Sequence, residues 1–133
     1  MESLEQQRNE IINRSLCDIR FIEGEIAYIN ACIPFIEMAF NIALYDWQKD
    51  YLRGECELIK GGRANGKTFT YCVKLALSEG DPIRRVLLNQ YADMYPGSYY
   101  TNIWFPRYFL ETRQILKNAG LPVRDIAHNG KLL

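Results

Sequence analysis

The chain has 133 residues, of which 48% are hydrophobic, 13% aromatic and 24% charged, a composition that excludes a disordered or fibrous chain and fits a folded domain. Sixteen Lys and Arg meet 16 Asp and Glu for a formal net charge of +0, so the global basic field of a generic nucleic-acid binder is absent and DNA could be engaged only through a local basic patch. The length allows a respectable core, yet it falls below the roughly 150 residues usual for a complete nucleotide-hydrolysing α/β domain.

The first ten residues, MESLEQQRNE, offer no basic leader followed by an apolar core, so no secretory signal is expected. From Leu4 to Ile33 the apolar residues Ile12, Leu16, Ile19, Ile22, Ile26, Ile29 and Ile33 recur in steps of three or four, which predicts one long amphipathic helix. Its other side carries Gln6, Arg8, Glu10, Arg14, Asp18, Glu25 and Asn30; Gly24 is a tolerated weak point and Pro34 the stop. Such a helix serves core packing, and its length also suits self-association through a coiled-coil-like seam. The longest apolar run, Ala31 to Ile36, is interrupted by Pro34 and is far shorter than the roughly 18 residues of a membrane span, so the expectation is a cytoplasmic chain without a membrane partner.

Asp46 to Leu52 reads as a short helix ended by Gly54, with Trp47 and Tyr51 on one side. Cys56 to Lys60, too short for a helix and bounded by glycines, reads as a strand. Phe69, Cys72, Val73 and Ala76 mark a helix over Lys67 to Glu79, closed by Gly80-Asp81-Pro82, and Arg85 to Leu88 reads as a second strand. The last helix is expected from Pro106, near its first position, to Asn118, with Phe109, Thr112, Leu116 and Ala119 on one face and Gly120 and Pro122 as the stop. The cysteines at 17, 32, 56 and 72 are too widely spaced for a metal or redox pair, and with His128 as the only histidine they read as reduced, mostly buried thiols. His128, beside Asn129-Gly130, is expected on a frayed surface.

The segment with chemistry in it is Gly61-Gly62-Arg63-Ala64-Asn65-Gly66-Lys67-Thr68, which fits G-x-x-x-x-G-K-S/T at every fixed position and lies between an expected strand and an expected helix. Glycines let the backbone wrap an anion so that successive N–H groups point inward, and the following helix offers its positive end to the same anion. Lys67 would reach the β- and γ-phosphates as a compact charge, and Thr68 would give a hydroxyl to Mg²⁺.

GGRANGKT preceded by Trp47-Gln48 resembles the ATPase domain of bacteriophage terminase large subunits and related helicase-like P-loop ATPases, over about Tyr45 to Gln90. The resemblance implies an α/β fold: a long N-terminal helical segment (1–44) packed on an abbreviated P-loop unit (45–133) with a small, mainly parallel sheet, one compact domain overall. It implies ATP, or GTP, with Mg²⁺ as ligand, an adenine contact from Gln48, packing of Trp47 or Tyr45 near the base, and a phage-encoded accessory protein. For Trp47, simple core packing stands as the alternative. The acid that completes such sites does not follow: Val86-Leu87-Leu88 runs into Asn89-Gln90, Asp125 follows Pro122-Val123-Arg124, and Ile42 to Asp46 fits only in permuted order. Phosphate binding is therefore expected, with hydrolysis slow or dependent on a partner, on a second subunit, or on another acid such as Glu79, Asp81 or Asp93.

Eight aromatic residues, Tyr91, Tyr95, Tyr99, Tyr100, Trp104, Phe105, Tyr108 and Phe109, crowd the segment 91–109, flanked by Arg84, Arg85, Arg107 and Arg113. Three uses stand side by side: core, a protein interface, and stacking on nucleic-acid bases. Tyr95-Pro96-Gly97-Ser98 reads as a turn, making the segment a loop that leads into the last helix. The interface use supports the alternative function, a non-catalytic module on a trimmed ATPase fold that engages a host or viral protein.

Overall fold

The structure, a computed structural model, describes residues 2–57, 66–92 and 101–133, with side chains from Trp104 onward in the last segment. The chain is mostly helical and forms two compact units: residues 1–56 with 114–122, and residues 57–113 with 123–133.

In the first unit, α1 (Leu4–Glu23) starts at a reciprocal cap. The Gln6 amide donates to Ser3 Oγ at 3.1 Å and the Ser3 amide donates to Gln6 Oε1 at 2.9 Å. The single long helix expected over Leu4 to Ile33 is instead two, because the chain turns at Gly24 and resumes as α2 (Glu25–Phe40). Gly24 takes φ 99° and ψ 179°, a region that side-chain-bearing residues rarely enter. Its amide closes α1 on the Arg20 carbonyl at 3.1 Å, and its carbonyl receives the Tyr28 amide at 3.0 Å, so one residue ends one helix and begins the next. The apolar stripe is divided as a result: Leu16, Ile29 and Ile33 are buried, Ile12 and Ile19 half-buried, and Ile22 and Ile26 exposed.

Pro34 does not stop α2, which runs on to Phe40. Pro34 lies on the exposed side, as does Asn30, whose carbonyl it deprives of a helical donor, while Ile33 and Ile36 beside it are buried. Apolar burial carries the helix forward. Helix α3 (Asp46–Leu52) matches the expected bounds and is followed by Gly54 at φ 80°. The first unit buries Tyr28, Cys32, Ile36, Leu44, Leu52, Leu116 and Leu121 along with the residues already named. The Asn9 side-chain amide donates to the Asn118 carbonyl at 2.8 Å.

In the second unit, α4 (Lys67–Leu77) buries Cys72, Val73 and Ala76, as its spacing predicts, and leaves Phe69 half-buried. Leu58 to Lys60 of the expected first strand lie outside the described residues, and Cys56 and Glu57 are not in a strand. The second strand is displaced: β1 is Ile83–Arg84, and Arg85–Leu87 form a 3₁₀ turn leading into α5 (Leu88–Ala92). Helix α6 (Thr101–Asn118) begins five residues before Pro106, which therefore sits inside it, so Trp104 and Phe105 are helical residues and not part of a loop. Phe105 and Phe109, one turn apart and stacked at 6.1 Å, are fully buried on either side of the proline, and their burial holds the extra turns.

The sheet is mixed, in the order β1-β2-β3. β1 pairs in parallel with β2 (Ile126–His128), and β2 pairs antiparallel with β3 (Lys131–Leu132). Asn129 and Gly130, both at positive φ (51° and 79°), form the two-residue turn that matches the twist of a hairpin. His128 is accordingly a half-buried strand residue opposite Lys131, and not a frayed one.

Candidate nucleotide site

Gly66 stands in the left-handed conformation, φ 82° and ψ 15°, directly before α4, where a side chain would be penalised. Its carbonyl is held twice by Thr70, by the amide at 2.9 Å and by the hydroxyl at 2.6 Å, which ties down the first turn. A helix leaves its first N–H groups without acceptors of its own and carries partial positive charge at that end, so an anion is its natural complement. No acidic residue occupies the first turn of α4.

Lys67 opens the helix with its side chain almost wholly covered, 6% exposed. No carboxylate or hydrogen-bond acceptor among the described residues pairs with its ammonium. Long helical side chains lean back toward the N-terminus, so the lysine charge and the positive helix end lie on the same side. A phosphate offsets both at once. Thr68, the next residue, is half-buried. Gly61, Gly62, Arg63, Ala64 and Asn65 lie outside the described residues.

Trp47 and Gln48 belong to the first unit, Lys67 and Thr68 to the second. Gln48 is buried, and its Oε1 accepts the Tyr45 amide at 2.8 Å, a side chain reaching back to cap the helix it stands in. Trp47 is half-buried, its carbonyl receiving the Cys56 thiol at 3.6 Å, and Tyr45 is exposed.

Two of the three acids named as substitutes for the missing one lie at the far end of α4. Glu79 and Asp81 follow its C-terminus, and Asp125 is held there because the adjacent Arg124 amide donates to the Ala76 carbonyl. With about 1.5 Å of rise per residue, Ala76 is roughly 13 Å along the helix from Lys67. Asp93 lies outside the described residues. Among the described residues no three His, Cys, Asp or Glu side chains gather as a metal site.

Arg113, one of the four arginines that flank the aromatic block in the sequence, is an interior tie. It is buried, its Nε donates to the Arg124 carbonyl at 2.7 Å and its Nη2 to the Leu133 carbonyl at 3.1 Å, joining α6 to both ends of the C-terminal hairpin. Burial lowers its pKa and the charge of Asp125 opposes that shift. Arg107 is exposed and paired with Glu111 at 3.1 Å; Arg84 and Arg85 are exposed. The Asn-Gly dipeptide was the signal for the hairpin that Arg113 secures.

The aromatic block divides by helix face. Phe105 and Phe109 are core, and Tyr71 packs on Phe105 at 5.8 Å while its hydroxyl donates to the Tyr91 carbonyl at 2.7 Å. Trp104, 41% exposed, meets half-buried Tyr108 edge to face at 5.7 Å. Tyr95, Tyr99 and Tyr100 lie outside the described residues. All four cysteines are free thiols, Cys32 and Cys72 buried and Cys17 and Cys56 exposed, so only half of them fit the expectation of burial.

No family model, curated protein or solved structure matches this chain. Among the described residues no helix is long and apolar enough to cross a membrane.

Proposed function

We propose that the chain binds a purine nucleotide, ATP before GTP, at the N-terminus of α4. The observation that carries the reading is Lys67, covered and without an anionic partner among the described residues, at an acid-free helix start that a left-handed glycine introduces. Amides from Gly62 to Gly66 cradle the phosphates, Lys67 reaches the β- and γ-phosphates, and Thr68 gives its hydroxyl to Mg²⁺. Gln48 and Trp47 are the base contacts that the terminase-like resemblance suggests. The same resemblance supports a phage-encoded accessory role in the host cytoplasm.

The test is thermal unfolding of wild type and Lys67→Ala with and without Mg²⁺-ATP, Mg²⁺-GTP and a nonhydrolysable analogue. Ligand at about 100 times its dissociation constant stabilises by about 2.7 kcal/mol, several degrees in a domain of this size. The shift should appear in wild type and vanish in Lys67→Ala; wild type unmoved by every nucleotide refutes the reading.

One observation favours a second reading, a non-catalytic module that binds a protein through α6: the exposed, edge-packed Trp104–Tyr108 pair is the kind of aromatic anchor that interfaces favour. Under this reading Trp104→Ala abolishes partner binding while Lys67→Ala leaves it intact.

A further inference from the structure

We draw no further inference here: the strongest candidate, the exposed apolar patch of Phe21, Ile22 and Ile26 at the turn between α1 and α2, carries none because nothing in the structure shows what covers it.

Discussion

Gly80 and Arg124 offer a sharp test of how the chain beyond α4 is held. Arg124 donates from Nε to the Asp81 carbonyl at 2.9 Å and from Nη1 to Ser78 Oγ at 3.0 Å, bracketing the turn through Gly80. A Cβ built on Gly80 would stand 2.5 Å from Arg124 Nη2 and 2.7 Å from Cζ, so Gly80→Ala must expel the guanidinium and with it both hydrogen bonds. Charge-assisted hydrogen bonds contribute about 1.5–3 kcal/mol each when covered, and this group is half-exposed, so about 1 kcal/mol apiece and about 2 kcal/mol in total is the reasonable magnitude. Arg124→Ala should lose the same 2 kcal/mol or so. The double variant then has nothing further to lose at the turn, and a denaturant-unfolding cycle should show a coupling of about 2 kcal/mol between the sites. Any backbone strain from alanine at Gly80 is present with or without the arginine and drops out of the cycle. Additivity within about 0.5 kcal/mol would refute the clash and the bracket together.

Burial pushes the Cys32 and Cys72 thiols up to about 12, whereas Cys17 and Cys56 are exposed, so a thiol reagent at pH 8 should titrate two groups quickly in the native protein and four after denaturation. The same shifts make the protein less stable in alkali. Above the unfolded thiol pKa, near 8.5–9, the unfolded chain loses protons that the folded one keeps, so stability should fall by up to about 1.4 kcal/mol per thiol per pH unit until the folded pKa is reached. Urea unfolding at pH 8, 9 and 10 checks this, and the slope should shrink when both buried cysteines become alanine. On α6, Phe109→Ala should destabilise by about 3–5 kcal/mol and Trp104→Ala by under about 1 kcal/mol, since one ring is fully buried and its neighbour is largely a surface group. Equal losses in thermal unfolding would contradict the division of the aromatic block.

What could be read from the sequence was what local chemistry decides. Helix α3 and the apolar faces of α4 and α6 follow from spacing and stop signals, because there the local preference and the burial agree. Pro34 and Pro106 misled for one reason. A proline on the half-wet side of a helix forfeits a single hydrogen bond, and burial of Ile33 with Ile36, or of Phe105 with Phe109, outweighs that loss; the partners of those side chains are invisible along the chain. Gly24 failed in the opposite sense, since a residue that looked tolerable inside a stripe became the turn, its positive φ open only to glycine. Arg85 to Leu88 reads as a strand by composition, but pairing in β1 stops at Arg84 and Val86 is exposed, so none of those four residues is realised as sheet. At the candidate site, Gly66, Lys67 and Thr68 were legible from the phosphate-loop pattern, while the cap that Gln48 places on Tyr45 was not, because tyrosine is not among the usual capping residues.

The position of the acids leads to a last prediction, about hydrolysis. A carboxylate that holds Mg²⁺ through water, or orients the attacking water, must lie within a few ångströms of the γ-phosphate. On the proposed reading that phosphate sits at the N-terminus of α4, against Lys67. Glu79 and Asp81 lie beyond Leu77 at the opposite end, and the Arg124–Ala76 hydrogen bond keeps Asp125 there too, about 13 Å or more away along the helix axis. The backward lean of the Lys67 side chain lengthens that gap. None of the three can serve the site of its own chain, so Glu79→Gln, Asp81→Asn and Asp125→Asn should each leave basal ATP turnover unchanged, whereas Lys67→Ala should remove it together with binding. Intrinsic turnover should be slow, and an accelerating group is to be sought in Asp93, in another molecule, or in a partner's arginine. Phosphate release by each purified variant, assayed alone, decides the matter. A tenfold loss in Asp125→Asn or Glu79→Gln with nucleotide affinity intact would show that the phosphate is bound elsewhere than at the start of α4, because no side-chain motion spans the length of that helix.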